Sequence, residues 1–193
     1  MLTAILLASG FSRRFTADKL MLDFHGKPML EHVMSAINTY PFSDKLLIQR
    51  EELYTSLADH YNFKSVRNQH ADKGQSRSIR LGVANSPAGS AFMFFVGDQP
   101  FLSGPVIKTL ADAHAKYPNN IIIPHVQNHP RNPVIFPASF AKALSALQGD
   151  TGGRKIIAAY PDQIHRVYFS DPLPFLDIDT AKDYHNLQGH ADI

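Results

Sequence analysis

The chain has 193 residues, of which 44% are hydrophobic and 19% charged, which is enough apolar material for a folded core and excludes a disordered tail. Nineteen Lys and Arg against seventeen Asp and Glu leave a formal charge of +2, which argues against a protein that coats nucleic acid. The chain has no cysteine, so disulfides, thiolate zinc sites, iron–sulfur clusters and cysteine nucleophiles are excluded.

The first eight residues form an apolar run that could be mistaken for a secretory signal. The run is short, and its basic residues Arg13 and Arg14 follow it instead of preceding it, so we interpret it as a buried strand. No other stretch approaches the roughly 20 apolar residues that a membrane-spanning helix needs. We therefore expect a soluble, cytoplasmic protein with neither a membrane nor a nucleic acid as partner.

Short apolar runs alternate with segments of helical periodicity, which predicts a mainly parallel sheet with helices on both faces. Strands are predicted at residues 2–8, 45–49, 63–66, 91–96, 120–123, 132–136, 164–169 and 175–178. Helices are predicted at residues 28–38, 51–60, 76–84, 140–147, 152–160 and 180–187, with another after Ser103, and Ser76 and Ser103 as caps. We find no repeat or long linker, so one domain over residues 1–193 is expected.

The turn after the first strand has the composition of a phosphate-binding loop. Leu7-Ala8-Ser9-Gly10 lets backbone N–H groups approach an anion, and Arg13 and Lys19 follow in the same loop. The pattern is neither a Walker motif nor a dinucleotide GxGxxG. An ordinary strand-to-loop connection and a solvated lysine are the structural alternatives.

A second polar segment, Gly74-Gln75-Ser76-Arg77-Ser78, combines a glycine with two hydroxyls at a predicted helix start. This combination suits contacts to a base, ribose or phosphate, although a plain helix cap explains it as well. In open α/β sheets, ligands bind at the carboxyl ends of the strands. We therefore expect the two segments to meet in one crevice.

Asp98 follows five apolar residues and sits at the rim of a buried strand, where an unpartnered carboxylate is costly. Mg²⁺ is a natural partner for it. Asp177 and Asp179 flank Ile178 in a strand-like stretch, so both carboxylates are predicted on one face and could join the same ion. Capping of the last helix together with Thr180 is the alternative role for Asp179.

Two further groups of residues are weaker candidates for a functional site. His125 and His129 lie four apart, but neighbouring prolines prevent a helix that would bring their rings together, so we expect mobile loop histidines instead of a metal site. Asp150 with Gly152, Gly153 and Arg154 could form a loop near a ligand, but an ordinary glycine turn is the favoured interpretation of this segment taken alone.

Together, these segments resemble the MobA/MocA-like nucleotidyltransferases and, within them, the molybdenum cofactor cytidylyltransferase branch. The resemblance covers nearly the whole chain and is carried by the order and spacing of Leu7-Ala8-Ser9-Gly10 with Ser12 and Arg13, Asp18-Lys19-Leu20 with Gly26-Lys27-Pro28, residues 74–78, Gly97-Asp98-Gln99-Pro100, Asn132-Pro133-Val134, Gly149-Asp150 with Gly152 and Arg154, and Asp177-Ile178-Asp179-Thr180 with Asp183-Tyr184. It implies a Rossmann-like three-layer α/β nucleotidyltransferase fold with a mainly parallel central sheet.

The resemblance also implies a reaction and its residues. Such proteins join a nucleoside monophosphate from an NTP to a phosphate on an acceptor and release pyrophosphate. The implied nucleotide-binding residues are Leu7, Ala8, Ser9, Gly10, Arg13, Lys19, Gly74, Ser76 and Ser78. The implied acceptor-binding residues are Asn132, Pro133, Asp150 and Arg154. The implied Mg²⁺ ligands are Asp98 and Asp179, and the implied catalytic residues are Arg13, Lys19 and Asp98.

The resemblance favours CTP over GTP, because the guanylyl branch typically has a second glycine where this chain has Ser9 and lacks the continuation Lys19-Leu20-Met21-Leu22. Asn128-His129-Pro130-Arg131 departs from the family, which usually has an Arg-Gly pair and an earlier glycine there, so the acceptor is less well defined. We expect a molybdopterin-type acceptor, with a molybdenum hydroxylase apoenzyme as a candidate partner. The alternatives are a sugar or polyol phosphate acceptor, GTP as donor, a non-catalytic cofactor carrier or a nucleotide sensor.

Overall fold

The structure is a computed structural model that describes residues 1–10 and 18–189. The strands are β1 (Leu2–Ala8), β2 (Asp23–Phe24), β3 (Lys27–Pro28), β4 (Asp44–Gln49), β5 (Lys64–Arg67), β6 (Ala91–Val96), β7 (Ile121–Val126), β8 (His129–Pro130), β9 (Val134–Phe136) and β10 (Ile164–Phe169). The α-helices are α1 (Met29–Asn38), α2 (Thr55–His60), α3 (Gln75–Asn85), α4 (Gly104–Lys116), α5 (Ala141–Ser145), α6 (Arg154–Ala159) and α7 (Ala181–Gln188).

The main sheet has the strand order β10-β7-β9-β6-β1-β4-β5, and β8 pairs with β7. Strand β1 lies between β4 and β6 and is parallel to both, and β4–β5 and β7–β10 are also parallel pairs. Strand β9 is antiparallel to its neighbours β6 and β7. The predicted α/β fold with a mainly parallel sheet is therefore confirmed.

The side chains of the sheet alternate between two apolar cores, one on each face. Along β1, Leu6 enters one core and Ile5 enters the other, and both are fully buried. The helical residues of the first core include Val33, Ile37, Ile107 and Leu110, and those of the second include Ile79, Leu144 and Ile156. Helices thus cover both faces and give three layers. In residues 1–10 and 18–189, no helix combines the length and apolarity needed to cross a membrane.

Several element boundaries differ from the prediction. Helix α3 begins at Gln75 with Gly74 as N-cap, so Ser76 does not cap it. Ser103 does occupy the N-cap position of α4, although its side chain makes no capping hydrogen bond. The predicted last strand at 175–178 is wrong, because a 3₁₀ turn at Leu173–Phe175 leads into irregular backbone that docks on other parts of the chain.

A small hairpin stands where the sequence predicted only a loop. Strands β2 and β3 pair antiparallel, and His25 and Gly26 between them both have positive φ, which is the backbone of a tight two-residue hairpin turn. Pro28 ends β3 and precedes α1 as its N-cap instead of being the first helical residue. Strands of two residues are too short to show a periodic pattern in the sequence.

The prediction of a mobile loop around His125 is wrong. His125 lies in β7 and is only 8% exposed, with its ring centroid 5.7 Å from that of Tyr168. Pro124, the neighbouring proline, excludes a helix but not a strand, and here it lies inside β7. His129 is exposed in β8.

Candidate functional site

An open cleft of about 730 Å³ lies at the carboxyl ends of β1 and β6. Nine of the residues predicted for the site line it: Leu7, Ala8, Ser9, Gly10, Lys19, Gly74, Ser78, Asp98 and Asp150. The parallel strands place the turns after β1 and β6 at one edge of the sheet, which is why residues 9–10 and 97–98 are neighbours. The expectation that the polar segments meet in one crevice is met for these residues.

One wall of the cleft is charged, since Lys19 and Asp98 line it, and Asp179, which does not line the cleft, contacts Lys19. The Lys19 Nζ lies 2.8 Å from Asp98 Oδ2 and 3.5 Å from Asp179 Oδ1. The Lys19 side chain is 12% exposed and that of Asp98 23%, so the shorter ion pair is shielded from solvent, whereas Asp179 is 57% exposed. The two carboxylates predicted as metal ligands therefore share a single cation.

Asp179 reaches Lys19 because the segment before α7 docks beside the end of β6. The backbone N–H of Ile178 donates to the carbonyl of Asp98 at 3.0 Å, and the Ile178 side chain is fully buried with Phe24 and Met29. The capping role considered for Asp179 belongs to Asp183, which forms a capping box with Thr180.

Asp177 does not share a strand face with Asp179 as predicted, because residues 176–179 form no strand. Its carboxylate instead accepts a hydrogen bond of 3.0 Å from Gln99 Nε2. Although part of the residue is open to solvent, burial of the carboxyl group raises the pKa of Asp177 to about 6, and the negative charge of Asp98 adds to the effect. Gln99 is 1% exposed; it lies within the Gly97-Asp98-Gln99-Pro100 motif, although the sequence suggested no role for it.

The opposite wall is formed by the start of α3 and the loop after α5. The Gln75 N–H donates to Asp150 Oδ1 at 3.2 Å, so Asp150 caps α3 from 75 residues away in the chain. Gly74 has a φ of +87°, and a Cβ there would lie 2.6 Å from the Asp150 backbone. Asp150, predicted to face the acceptor, holds the start of this helix in the structure.

A hydrogen-bond network joins the turn after β1 to α3 and to the end of β5. The hydroxyl oxygens of Ser9 and Ser78 are 2.6 Å apart, and Asn68 Nδ2 donates to Ser78 Oγ at 3.0 Å. Asn68 is fully buried directly after β5. Sequence reasoning missed it, although its position at a strand end is the signal that singled out Asp98.

The remaining predicted site residues lie elsewhere. Ser76 is 3% exposed and does not line the cleft, and neither do Asn132, Pro133 and Arg154. Asn132 and Pro133 precede β9, and Arg154 is the first residue of α6. Arg13, predicted for the triphosphate, falls outside the described residues.

The charged wall suits a hard divalent cation. Carboxylate oxygens are the preferred ligands of Mg²⁺, which commonly uses one or two carboxylates and takes its other ligands from substrate phosphates and water. Asp98 Oδ1 is buried and has no hydrogen-bond partner in the described part of the chain, so it is available as a ligand. Across residues 1–10 and 18–189, no group of three or more His, Cys, Asp or Glu side chains could hold a metal ion.

Residues 4–165 match the model of the MobA-like NTP transferase domain. A probable molybdenum cofactor guanylyltransferase from Natranaerobius thermophilus is 30% identical over 66% of this chain, and the match spans 62% of that relative, less than two thirds of its length. A probable molybdenum cofactor guanylyltransferase from Methanosarcina mazei is 25% identical over 98% of this chain and 91% of its own.

The fold is also that of a nucleotidyl transferase from Methanothermobacter thermautotroptrophicus, with a TM-score of 0.83, 18% identity and coverage of 98% of this chain and 97% of the other. The family model covers most of the sheet and both cleft walls except the segment that carries Asp179. The chain belongs to the MobA-like NTP transferase domain family.

Proposed function

We propose that this protein transfers CMP from CTP to the terminal phosphate of a molybdopterin-type cofactor and releases pyrophosphate. The single observation that carries the proposal is the meeting of Lys19, Asp98 and Asp179 across a cleft from a glycine turn and the start of α3. Cations and backbone N–H groups suit a triphosphate, and the paired carboxylates suit its metal ion. The acceptor is inferred from family membership and from the two relatives named molybdenum cofactor guanylyltransferases.

The reaction requires no protein nucleophile. An oxygen of the acceptor phosphate attacks the α-phosphorus of CTP, and a new P–O bond forms as the bond from that phosphorus to the β-bridging oxygen breaks and pyrophosphate leaves. The second pKa of a phosphate monoester is about 6, so the attacking oxygen is already ionised near neutral pH. The enzyme then contributes alignment and charge stabilisation.

Each part of the cleft has a role in this scheme. The backbone at residues 8–10 and the Lys19 ammonium would orient the triphosphate for in-line attack. Asp98 and Asp179 would hold Mg²⁺. The bound ion would neutralise the charge on the transferred group. Asp150 and the Ser9–Ser78–Asn68 network keep the opposite wall in place.

Substitution of Asp98 tests the proposal. Asp98→Asn should lower pyrophosphate release from CTP and molybdopterin by about 10²-fold to 10³-fold, because a single preorganised electrostatic contact typically contributes that much to the rate. Asp112→Asn is the matched control, since it makes the same change on the exposed side of α4. Circular dichroism checks that both variants fold. Undiminished pyrophosphate release by folded Asp98→Asn would overturn the assignment.

Two observations bear on the base of the donor nucleotide, and they favour different bases. Ser9 lines the cleft at the position where the guanylyl branch typically has glycine, which favours CTP. The two relatives are named guanylyltransferases, which makes GTP the second candidate. Assays of all four NTPs with molybdopterin and with simple sugar phosphates separate these options. We expect Ser9→Gly to shift the ratio of kcat/KM values from CTP toward GTP, and a preference of the parent protein for GTP would contradict the choice of CTP.

A further inference from the structure

The backbone and the side chain of Lys19 are both fixed by neighbouring residues. It opens a 3₁₀ turn, Lys19–Met21, whose N-cap Asp18 accepts a hydrogen bond of 3.0 Å from the Leu20 N–H. The second oxygen of Asp18 accepts a 2.6 Å hydrogen bond from the Tyr54 hydroxyl. With only 12% of its side chain exposed, Lys19 is not a solvated surface lysine, and its ammonium has a defined position in the cleft.

That position lies beside the two carboxylates that are proposed above to hold Mg²⁺. The Nζ atom contacts one oxygen of Asp98 at 2.8 Å and one of Asp179 at 3.5 Å, so the ammonium acts as the counter-ion of both carboxylates. A metal ion held by the same two carboxylates, through the free Asp98 Oδ1 for example, would lie close to this ammonium, and the low exposure of Lys19 and Asp98 strengthens the repulsion between the two cations. Simultaneous occupation of the carboxylates is therefore unfavourable.

We infer that Lys19 is a resident counter-ion that opposes binding of a free divalent cation, and that a triphosphate relieves this opposition by drawing the ammonium onto its own oxygens. The metal ion then enters together with the nucleotide. This inference rests on the proposed function, since it assigns the triphosphate and the metal to the same cleft. Lys19 thereby couples nucleotide binding to assembly of the metal site, a role separate from its direct contact with phosphate.

The experiment is a titration of the full chain with Mn²⁺ alone, without nucleotide, followed by the electron paramagnetic resonance signal of unbound Mn²⁺. Lys19→Met should bind Mn²⁺ about tenfold or more tightly than the parent, because a neighbouring positive charge is removed while both carboxylates remain. Lys19→Arg keeps the charge and should stay near the parent affinity. Lys108→Met, which removes an exposed lysine paired with Asp112, is the control for a change in net charge.

Thermal unfolding provides a second readout. In EDTA, Lys19→Met leaves two carboxylates without their shared cation, so its Tm should be lower than that of the parent. Added Mn²⁺ should raise the Tm of this variant more than that of the parent, since at a given concentration a more tightly bound ligand stabilises the folded state more. Asp98→Asn should abolish the Mn²⁺ response in both backgrounds.

The outcomes separate the inference from the proposed function. Equal or weaker Mn²⁺ binding by folded Lys19→Met, or no Mn²⁺ binding by any variant, overturns the inference. Tighter binding by Lys19→Met supports it, even if the parent releases no pyrophosphate from any NTP, a result that would defeat the proposed function alone. If Lys19→Met does not fold, Lys19→Gln is measured against the same criteria.

Discussion

Lys19 and Asp98 are 79 residues apart in the chain, yet their charged groups lie within 2.8 Å of each other. Each could be singled out from local sequence, Lys19 by the loop that follows a buried strand and Asp98 by the apolar run before it. Their pairing could not, because a side chain's partner depends on how distant segments dock. Asn68 and Gln99 show the same limitation, since each lies at a strand end but its hydrogen-bond partner comes from another segment.

His114 makes the stability of the protein sensitive to acid. Burial lowers the pKa of His114 from its ordinary value of 6.5, and the nearby positive N-terminus lowers it further. The folded state therefore binds the proton less readily than the unfolded chain. The contribution of neutral His114 to the stability of the folded state is complete above pH 6.5. It is lost as the pH falls below 6.5 and passes through the lowered pKa of the folded state.

We expect His114→Leu to lose less stability than the parent between pH 7.5 and pH 5.5, measured as the shift of the urea unfolding midpoint. The other nine histidines are common to both proteins and cancel in the comparison. Identical shifts for the variant and the parent would show that His114 titrates alike in the folded and unfolded states.

The start of α3 depends on a close approach between two elements. The positive φ of Gly74 disfavours other residues, and the 2.6 Å approach to the Asp150 backbone leaves no room for a methyl group. The loop at residues 149–150 would have to retreat, and the hydrogen bond from the Gln75 N–H to Asp150 would be lost with it.

Gly74→Ala should therefore lower the free energy of unfolding by about 2–3 kcal/mol, the combined cost of backbone strain and a displaced cap. Gly89→Ala is the matched control, because Gly89 has a φ of +76° but open space around it, and it should cost only about 1 kcal/mol. Chemical denaturation measures both. Equal losses would mean that backbone strain alone, and not the approach of Asp150, limits position 74.

Position 74 also affects the cleft, since Gly74 lines one wall. A displaced 149–150 loop should weaken nucleotide binding by Gly74→Ala and leave Gly89→Ala unaffected. Isothermal titration with CTP provides the measurement. Unchanged CTP binding by folded Gly74→Ala would separate this wall from the nucleotide.

The central strand β1 carries one polar side chain into the core of the molecule. Thr3 is fully buried, and its hydroxyl has no hydrogen-bond partner in the part of the chain that the structure describes. It pairs with Asp44 in β4 and Phe92 in β6, so it is enclosed by the sheet on both sides. A buried hydroxyl without a partner costs more than a methyl group of the same size.

Thr3→Val should raise the free energy of unfolding by roughly 1 kcal/mol, because valine keeps the β-branched shape and removes the unpaired hydroxyl. Thr109→Val serves as control, since the Thr109 hydroxyl is exposed and donates to the Pro105 carbonyl at 2.8 Å, and no gain is expected there. Urea denaturation compares the two. A loss of stability in Thr3→Val would indicate that the Thr3 hydroxyl does have a hydrogen-bond partner, such as a buried water.

The layered architecture was accessible from the sequence because burial in a strand or helix repeats with a local period. The short apolar run of β1 and the helical periodicity of segments such as α4 predicted strands and helices packed in layers, and strand ends predicted where a ligand would bind. The order of the strands in the sheet cannot be predicted in this way. Nothing local shows that β9 runs against its neighbours between β6 and β7.

The amino-acid sequence alone thus established the family, the fold class and most of the residues that line the cleft, since these follow from motifs and periodicities within short segments. The tertiary structure decided how those residues are combined. Burial of Ile178 carries Asp179 to Asp98, Asp150 crosses to the start of α3, and a lysine lies between two carboxylates. These contacts depend on the docking of segments far apart in the chain, which only the folded molecule specifies.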